Sequence, residues 1–257
     1  GYEITKVLGD GSRLGVKLTY VEQTSIFGIA HAVGRLEPHI DRPFLLMLGD
    51  IFFLPGDLAR MVEIFHAQGE GAVLAVKHEA DPAAVRKNFS VTLSAEGLVT
   101  RVIEKPRYVH NPLKGVGLYI FGLAIFDAIR RTPRTAMRDE YELTESIQVM
   151  IGDGHPVRVS QSVVDDINLT YPTDLLRCNL MLAAKHPDHR LVDSSARVNP
   201  QARISESVIG ANVRVQSPIS IRRTLILSNS VVTTTSDLED MVVAPHGVFD
   251  CRPQSVA

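Results

Sequence analysis

Apolar positions follow two different rhythms along the chain, and the change between them sets the architecture. Over residues 1–175, short apolar runs alternate with segments whose apolar positions recur every three or four residues. The first kind reads as strands at 16–20, 44–48, 72–76 and 117–121, and as a hairpin of 89–93 and 98–103 about the turn Ser94-Ala95-Glu96-Gly97. The second kind reads as helices at 28–36, 58–66, 124–129 and 143–151, and the opening Tyr2-Glu3-Ile4-Thr5-Lys6-Val7-Leu8 looks like the middle of another. Such alternation predicts an α/β domain, a Rossmann-like and mostly parallel sheet covered by helices. A helix over 174–184 and the loop Lys185-His186-Pro187-Asp188 follow. Aliphatic or aromatic residues then recur at Val192, Val198, Ile204, Ile209, Val215, Ile221, Ile226, Val232, Leu238, Val243 and Phe249. Steps of 6, 6 and 5 make a 17-residue unit, which neither a helix nor a meander produces. A three-sided parallel β-helix does, because each side contributes one inward residue per coil. The expected division is therefore 1–175, a connecting helix and loop over 176–189, and a β-helix over 190–257.

Within the first part, the run Phe44-Leu45-Leu46-Met47-Leu48-Gly49-Asp50 reads as a fully buried strand that delivers one carboxylate at its C-terminal end. Ligands of open α/β sheets bind at that edge, and a lone carboxylate there suits Mg²⁺, which takes one or two carboxylates plus phosphate oxygens. An N-cap or turn aspartate is the structural alternative. Gln23, before a glycine-opened helix, has the donor and acceptor needed to read a nucleobase edge, and Gly28 permits close approach of a flat ligand; a solvated loop amide is the plainer reading. Glu104-Lys105-Pro106 leaves a strand with an acid and a base that suit a sugar hydroxyl and a phosphate, or simply form a surface turn. Gly117 opens a strand where a ligand could lie against bare backbone. The acids of Asp139-Glu140-Tyr141-Glu142-Leu143-Thr144-Glu145 serve equally well as first-turn partners of a helix dipole. Acids and an amide, Asp165, Asp166 and Asn168, stand at a further strand end.

In this order and spacing the motifs resemble the sugar-1-phosphate nucleotidyltransferases, and most nearly the glucose-1-phosphate thymidylyltransferases that carry a C-terminal left-handed β-helix. The resemblance runs from about Val7 to the end. It implies Gln23 and Gly28 at the base, Asp50 as a metal ligand, Glu104 and Lys105 at the sugar and its phosphate, and Gly117 in the sugar pocket. It implies Mg²⁺ as cofactor, and nucleotidyl transfer from an NTP, dTTP or UTP, to glucose 1-phosphate. Two departures stand out. The family's second metal acid falls at Asn168 when counted back from Pro172, with Asp166 as a neighbouring substitute. The family's glycine-rich phosphate loop, with its Arg and Lys, does not occur in the sequence, so a segment of about 60 residues, two βα units, is expected ahead of it.

Composition excludes rather than selects. The chain is 257 residues long, 45% apolar and 22% charged, with a formal charge of −2, which leaves no basic footprint for nucleic acid. Cys178 and Cys251 are too few for a disulfide framework or a zinc site, and a reducing cytoplasm is the simplest setting. No apolar stretch is long enough to span a bilayer. Flat β-helix sides predict a homo-oligomer. Two other readings compete: a non-catalytic sugar-nucleotide-binding or scaffolding homologue, and a hexapeptide-repeat acyltransferase resting on His246, the single histidine within the repeat.

Overall fold

In the computed structural model, residues 2–136 and 138–253 are described. They divide into two compact units, Gly1–Leu48 with Phe53–Asp165, and Gly49–Phe52 with Asp166–Ala257.

The first unit is built on a sheet of β1 (Phe44–Met47), β3 (Ala72–His78), β4 (Phe89–Leu93), β5 (Val99–Glu104), β6 (Leu113–Phe121) and β7 (Val157–Ser160); β2 (Ile51–Pro55) and β8 (Val163–Asn168) pair separately. The helices are α1 (Tyr2–Leu8), α2 (Ile29–Gly34), α3 (Ala59–Gln68), α4 (Pro82–Arg86), α5 (Ala124–Arg131) and α6 (Leu143–Gly152), followed in the second unit by α7 (Pro172–Ala183). β6 lies between β1 and β3 and runs antiparallel to both, whereas β3 and β7 pair in parallel. Thus β1, β3 and β7 share one direction, as the expected Rossmann-like βα alternation requires, with β6 inserted antiparallel between β1 and β3.

Both faces of β3 are covered, which is why its sequence is a continuous apolar run. Leu74 and Val76 pack with Tyr119, Phe121 and the α5–α6 residues Ile125, Ile147 and Met150. Val73 and Ala75 pack on the other face with Val116, Leu118 and the α3 residues Met61 and Phe65. The run at 44–48 behaves differently. Phe44 and Leu46 join the core, but Leu45 and Met47 are 57% and 58% exposed, so β1 is not the fully buried strand its composition suggests. An uninterrupted apolar run records chemistry, not how many of its faces are covered. The strand expected at 16–20 also does not form. Its amides turn back locally, Val16 N to Gly11 O and Leu18 N to Asp10 O, and so give nothing to a ladder.

The second unit contains the expected left-handed parallel β-helix. β9 (Leu191–Val192), β12 (Val208–Ile209), β15 (Leu225–Ile226) and β18 (Met241–Ala244) make one side. β10 (Arg197–Val198), β13 (Arg214–Val215) and β16 (Val231–Val232) make the second, and β11 (Arg203–Ser205), β14 (Ser220–Arg222) and β17 (Leu238–Glu239) the third. Ile209, Val215, Ile221, Ile226, Val232, Leu238 and Val243 form the buried column, as the 17-residue period predicts. The corners repeat as well: His189, Glu206, Arg223 and Asp240 take left-handed backbone conformations at 17-residue intervals, as do Asn212 and Asn229. Polar side chains bridge successive coils at the same interval, Asn212 Nδ2 to Asn229 Oδ1 at 3.1 Å and Arg223 Nε to Asp240 Oδ1 at 2.8 Å. Phe249 departs from the pattern. It lies on β19 (Gly247–Asp250), which folds back antiparallel on β18, and it is 46% exposed rather than stacked in a further coil. α7 packs Leu176 against Leu225 and Val242 of the β-helix.

Candidate active site

The candidate residues fall into two groups, one in each unit. In the second unit the exposed Asp50 lies beside the end of β8, because Leu169 N donates to Asp50 O at 2.8 Å. Adjacent strands stand about 5 Å apart, so Asp50 and Asn168 are near neighbours. Asp166 and Asn168 are two residues apart in β8 and share one of its faces; Asp166 is buried, at 6% exposure. Two carboxylates and an amide oxygen are hard oxygen donors, the ligand type that Mg²⁺ takes. Among the described residues no three His, Cys, Asp or Glu side chains gather as a metal cage, so any such ion would rely on few protein oxygens.

The first unit holds the remaining candidates. Glu104 ends β5; its Oε2 accepts from Thr144 Oγ1 at 3.4 Å, and its Oε1 is 3.7 Å from the Arg138 guanidinium. Arg138 also bridges to Glu142 at 3.1 Å. Burial first, and then the neighbouring Glu142 carboxylate, push Glu104 above the usual carboxylate range. Lys105 follows with φ 42, a left-handed conformation that a lysine adopts at a cost of about 1–3 kcal/mol. Its N–H is tied to Asn88 O at 2.7 Å, and its side chain projects into solvent. Gly117 lies in a bulge of β6 with φ 73, and its carbonyl accepts from Leu48 N at 3.0 Å, two residues ahead of Asp50 in sequence.

Gln23 and Gly28 form a subsite of their own. Gly28, with φ 96 and ψ 176, starts α2 in a conformation open essentially to glycine alone, and a Cβ there would meet Tyr141 O at 2.6 Å. The chain from 27 to 30 is laced to Tyr141 by Tyr141 N to Phe27 O at 2.7 Å and Ala30 N to Tyr141 O at 3.0 Å. Gln23 Nε2 reaches His31 Nδ1 at 2.8 Å and Gly28 O at 3.4 Å. The His31 ring lies edge-on to Phe27 and stacked on Tyr141, and the Arg134 guanidinium covers both neighbouring rings, 4.6 Å from the Phe27 centroid and 5.6 Å from that of Tyr141.

Sequence reasoning did not assign site roles to Arg138, Tyr141, Glu142 and Thr144. They belong to one segment, 138–144, that touches Gly28 through Tyr141 and Glu104 through Arg138 and Thr144. The signal was the acid-rich run before α6, which reads equally well as dipole compensation. His246, by contrast, sits exposed at the tip of the β18–β19 hairpin, and among the described residues no inserted coil accompanies it. The acyltransferase reading has no structural support.

Residues 2–163 match the Nucleotidyl transferase family. A glucose-1-phosphate thymidylyltransferase of Streptomyces griseus is 33% identical over 250 residues, 94% of this chain and 68% of that protein. The low-salt glycan biosynthesis nucleotidyltransferase Agl11 of Haloferax volcanii is 33% identical over 211 residues, 80% of this chain, which spans 57% of its length. A crystal structure of a Bacillus anthracis protein assigned as a glucose-1-phosphate thymidylyltransferase, in complex with sucrose, superposes with a TM-score of 0.61 at 24% identity, covering 70% of this chain and 71% of its own; at that identity it speaks for the fold alone. The two rhythms of the sequence, the mixed sheet and the extent of the match converge on one assignment: the chain belongs to the nucleotidyl transferase family.

Proposed function

We propose that this protein takes part in sugar-1-phosphate nucleotidyl transfer, joining a nucleoside monophosphate from dTTP or UTP to glucose 1-phosphate and releasing pyrophosphate. The observation that carries the reading is the backbone bond from Leu169 to Asp50, which brings the exposed Asp50 to the end of the strand that bears Asp166 and Asn168. Family membership and the activity named for the Streptomyces griseus relative support it.

In this reaction an oxygen of the sugar 1-phosphate forms a bond to the α-phosphorus, and the bond from that phosphorus to the bridging oxygen of the pyrophosphate breaks. The attacking oxygen is already anionic at neutral pH, so the protein needs to position and neutralise rather than abstract a proton. Lys105 would neutralise the sugar phosphate, Glu104 would accept from sugar hydroxyls, Gln23 would pair with the base, and Gly117 would offer bare backbone to the sugar. Mg²⁺, held by Asp50 with Asp166 or Asn168, would supply charge neutralisation at the phosphate oxygens. The same proposal includes a cytoplasmic setting and a homo-oligomer assembled through the β-helix.

The test is pyrophosphate release by the full-length protein, as its own cell makes it, across dTTP, UTP, CTP, ATP and GTP with glucose 1-phosphate. Asp50→Ala should cut turnover at least a thousandfold while leaving the melting temperature within about 2 °C, since the Leu169 bond uses the Asp50 backbone. Activity within a few-fold of wild type would remove Asp50 from the metal role.

A further inference from the structure

The amide nitrogen of Gln23 has two hydrogens, and both are directed into the protein. One points to Gly28 O at 3.4 Å, an atom that can only accept, which fixes which end of the amide is nitrogen. The other points to His31 Nδ1 at 2.8 Å. An amide NH₂ cannot accept, so Nδ1 must present its lone pair and the ring proton must sit on Nε2. The ring itself is held in place by Phe27, at 5.3 Å and 70°, and by Tyr141, at 6.4 Å and 27°. Arg134, which lies over both, is anchored by Asp139 at 2.9 Å. With its nitrogen held in this way, the Gln23 side chain has a carbonyl oxygen to offer a ligand.

We propose that His31 is a positioning residue for nucleobase selection: it holds the Gln23 amide in one orientation, so that an acceptor rather than a donor meets the base. This rests on the reading of Gln23 as the base contact. Uracil and thymine present an N–H at ring position 3 and a carbonyl at position 4; cytosine presents an acceptor and an amino group at the same two positions. An amide free to rotate by 180° about its last bond can turn its NH₂ towards the ring nitrogen of cytosine, whereas one held by His31 presents only its oxygen, which accepts from the N3–H of uracil or thymine and meets a lone pair at N3 of cytosine. Discrimination between pyrimidines therefore depends on a residue that need not touch the nucleotide.

Calorimetric titration of the full-length protein with UTP, dTTP and CTP tests this without requiring turnover. Wild type should prefer UTP and dTTP. His31→Phe, which keeps an aromatic ring but lacks the acceptor, should lose at least tenfold of that preference. His31→Asn, whose Oδ1 can occupy the place of Nδ1, should retain it within threefold. A His31→Phe variant whose preference stays within twofold of wild type, whatever happens to its overall affinity, overturns the proposal. A wild type that binds uridine nucleotides yet releases no pyrophosphate refutes the catalytic reading and leaves this comparison intact; one that binds no nucleotide overturns both. Long-range ¹H–¹⁵N correlation spectra of wild type at pH 7.5 supply a second readout should His31→Phe fail to fold. An imidazole with its proton on Nε2 is expected, and one protonated at Nδ1 overturns the assignment.

Discussion

Replacing Gly28 by alanine tests the base-side loop most sharply, because the structure supplies both the clash and its price. The new Cβ would stand 2.6 Å from Tyr141 O, 3.0 Å from Tyr141 N and 3.0 Å from Glu140 Cβ, and two of those three atoms are backbone that cannot rotate away. The conformation at φ 96 and ψ 176 adds about 1–3 kcal/mol for any residue with a side chain. Relieving the contact means parting the 27–30 segment from Tyr141, which weakens two backbone hydrogen bonds at about 1 kcal/mol each. The sum is roughly 3–5 kcal/mol, or a fall in melting temperature of about 10 °C. The chain has no tryptophan, so far-ultraviolet circular dichroism in a urea or thermal series is the suitable assay. Gly152→Ala is the control: nothing lies within 4 Å of its Cβ and it ends helix α6, so it should be neutral or gain up to about 1 kcal/mol. A Gly28→Ala protein within 1 kcal/mol of wild type would show that this loop yields, and would refute the argument that Gly28 is fixed by its neighbours.

Two further substitutions probe the remaining features. Glu104 is raised above its ordinary value, so its contribution to stability is fully present below the unfolded carboxylate range near 4.5 and is lost as pH rises through the folded value. Glu104→Gln should therefore melt higher than wild type at pH 7.5 and flatten the decline from pH 4.5 upward, while abolishing sugar phosphate binding; unchanged pH slopes would discount the buried charge. Ile221→Ala, at a fully buried position in the middle of the β-helix column, should cost about 2–5 kcal/mol in urea unfolding, and a loss below 1 kcal/mol would mean that the column is not close-packed there.

Much of this molecule could be read from its sequence, and the failures share a physical origin. Periodicity located β3, α3, α6 and the β-helix column from Ile209 to Val243, because burial on a defined face imposes a spacing that survives without knowledge of partners. It misjudged β1, where the apolar run at 44–48 is covered on only one face, and Phe249, which keeps the six-residue step but lies on a returning strand. Both errors concern what lies beside an element, which no local pattern encodes. The Asp50 and Glu104 motifs were recognisable as short acid-bearing strand ends. The ties from Gly28 to Tyr141 and from Glu104 to Arg138 join residues 34 or more positions apart in sequence, and only the folded chain brings them together.

The left-handed corners and the side chains that bridge 17 residues make the C-terminal unit a structure with quantised length. A segment of 17 residues duplicated in place would add one more coil, about 4.8 Å of height, with its anchors, its corners and its Asn–Asn bridge already in register. A gain of a single residue would instead move every later anchor off its inward position and bring Arg214, Ser220 and Asp237 into the column. Lineages can therefore lengthen or shorten this unit by whole coils at small cost, whereas the sequence between two corners tolerates almost no change in length.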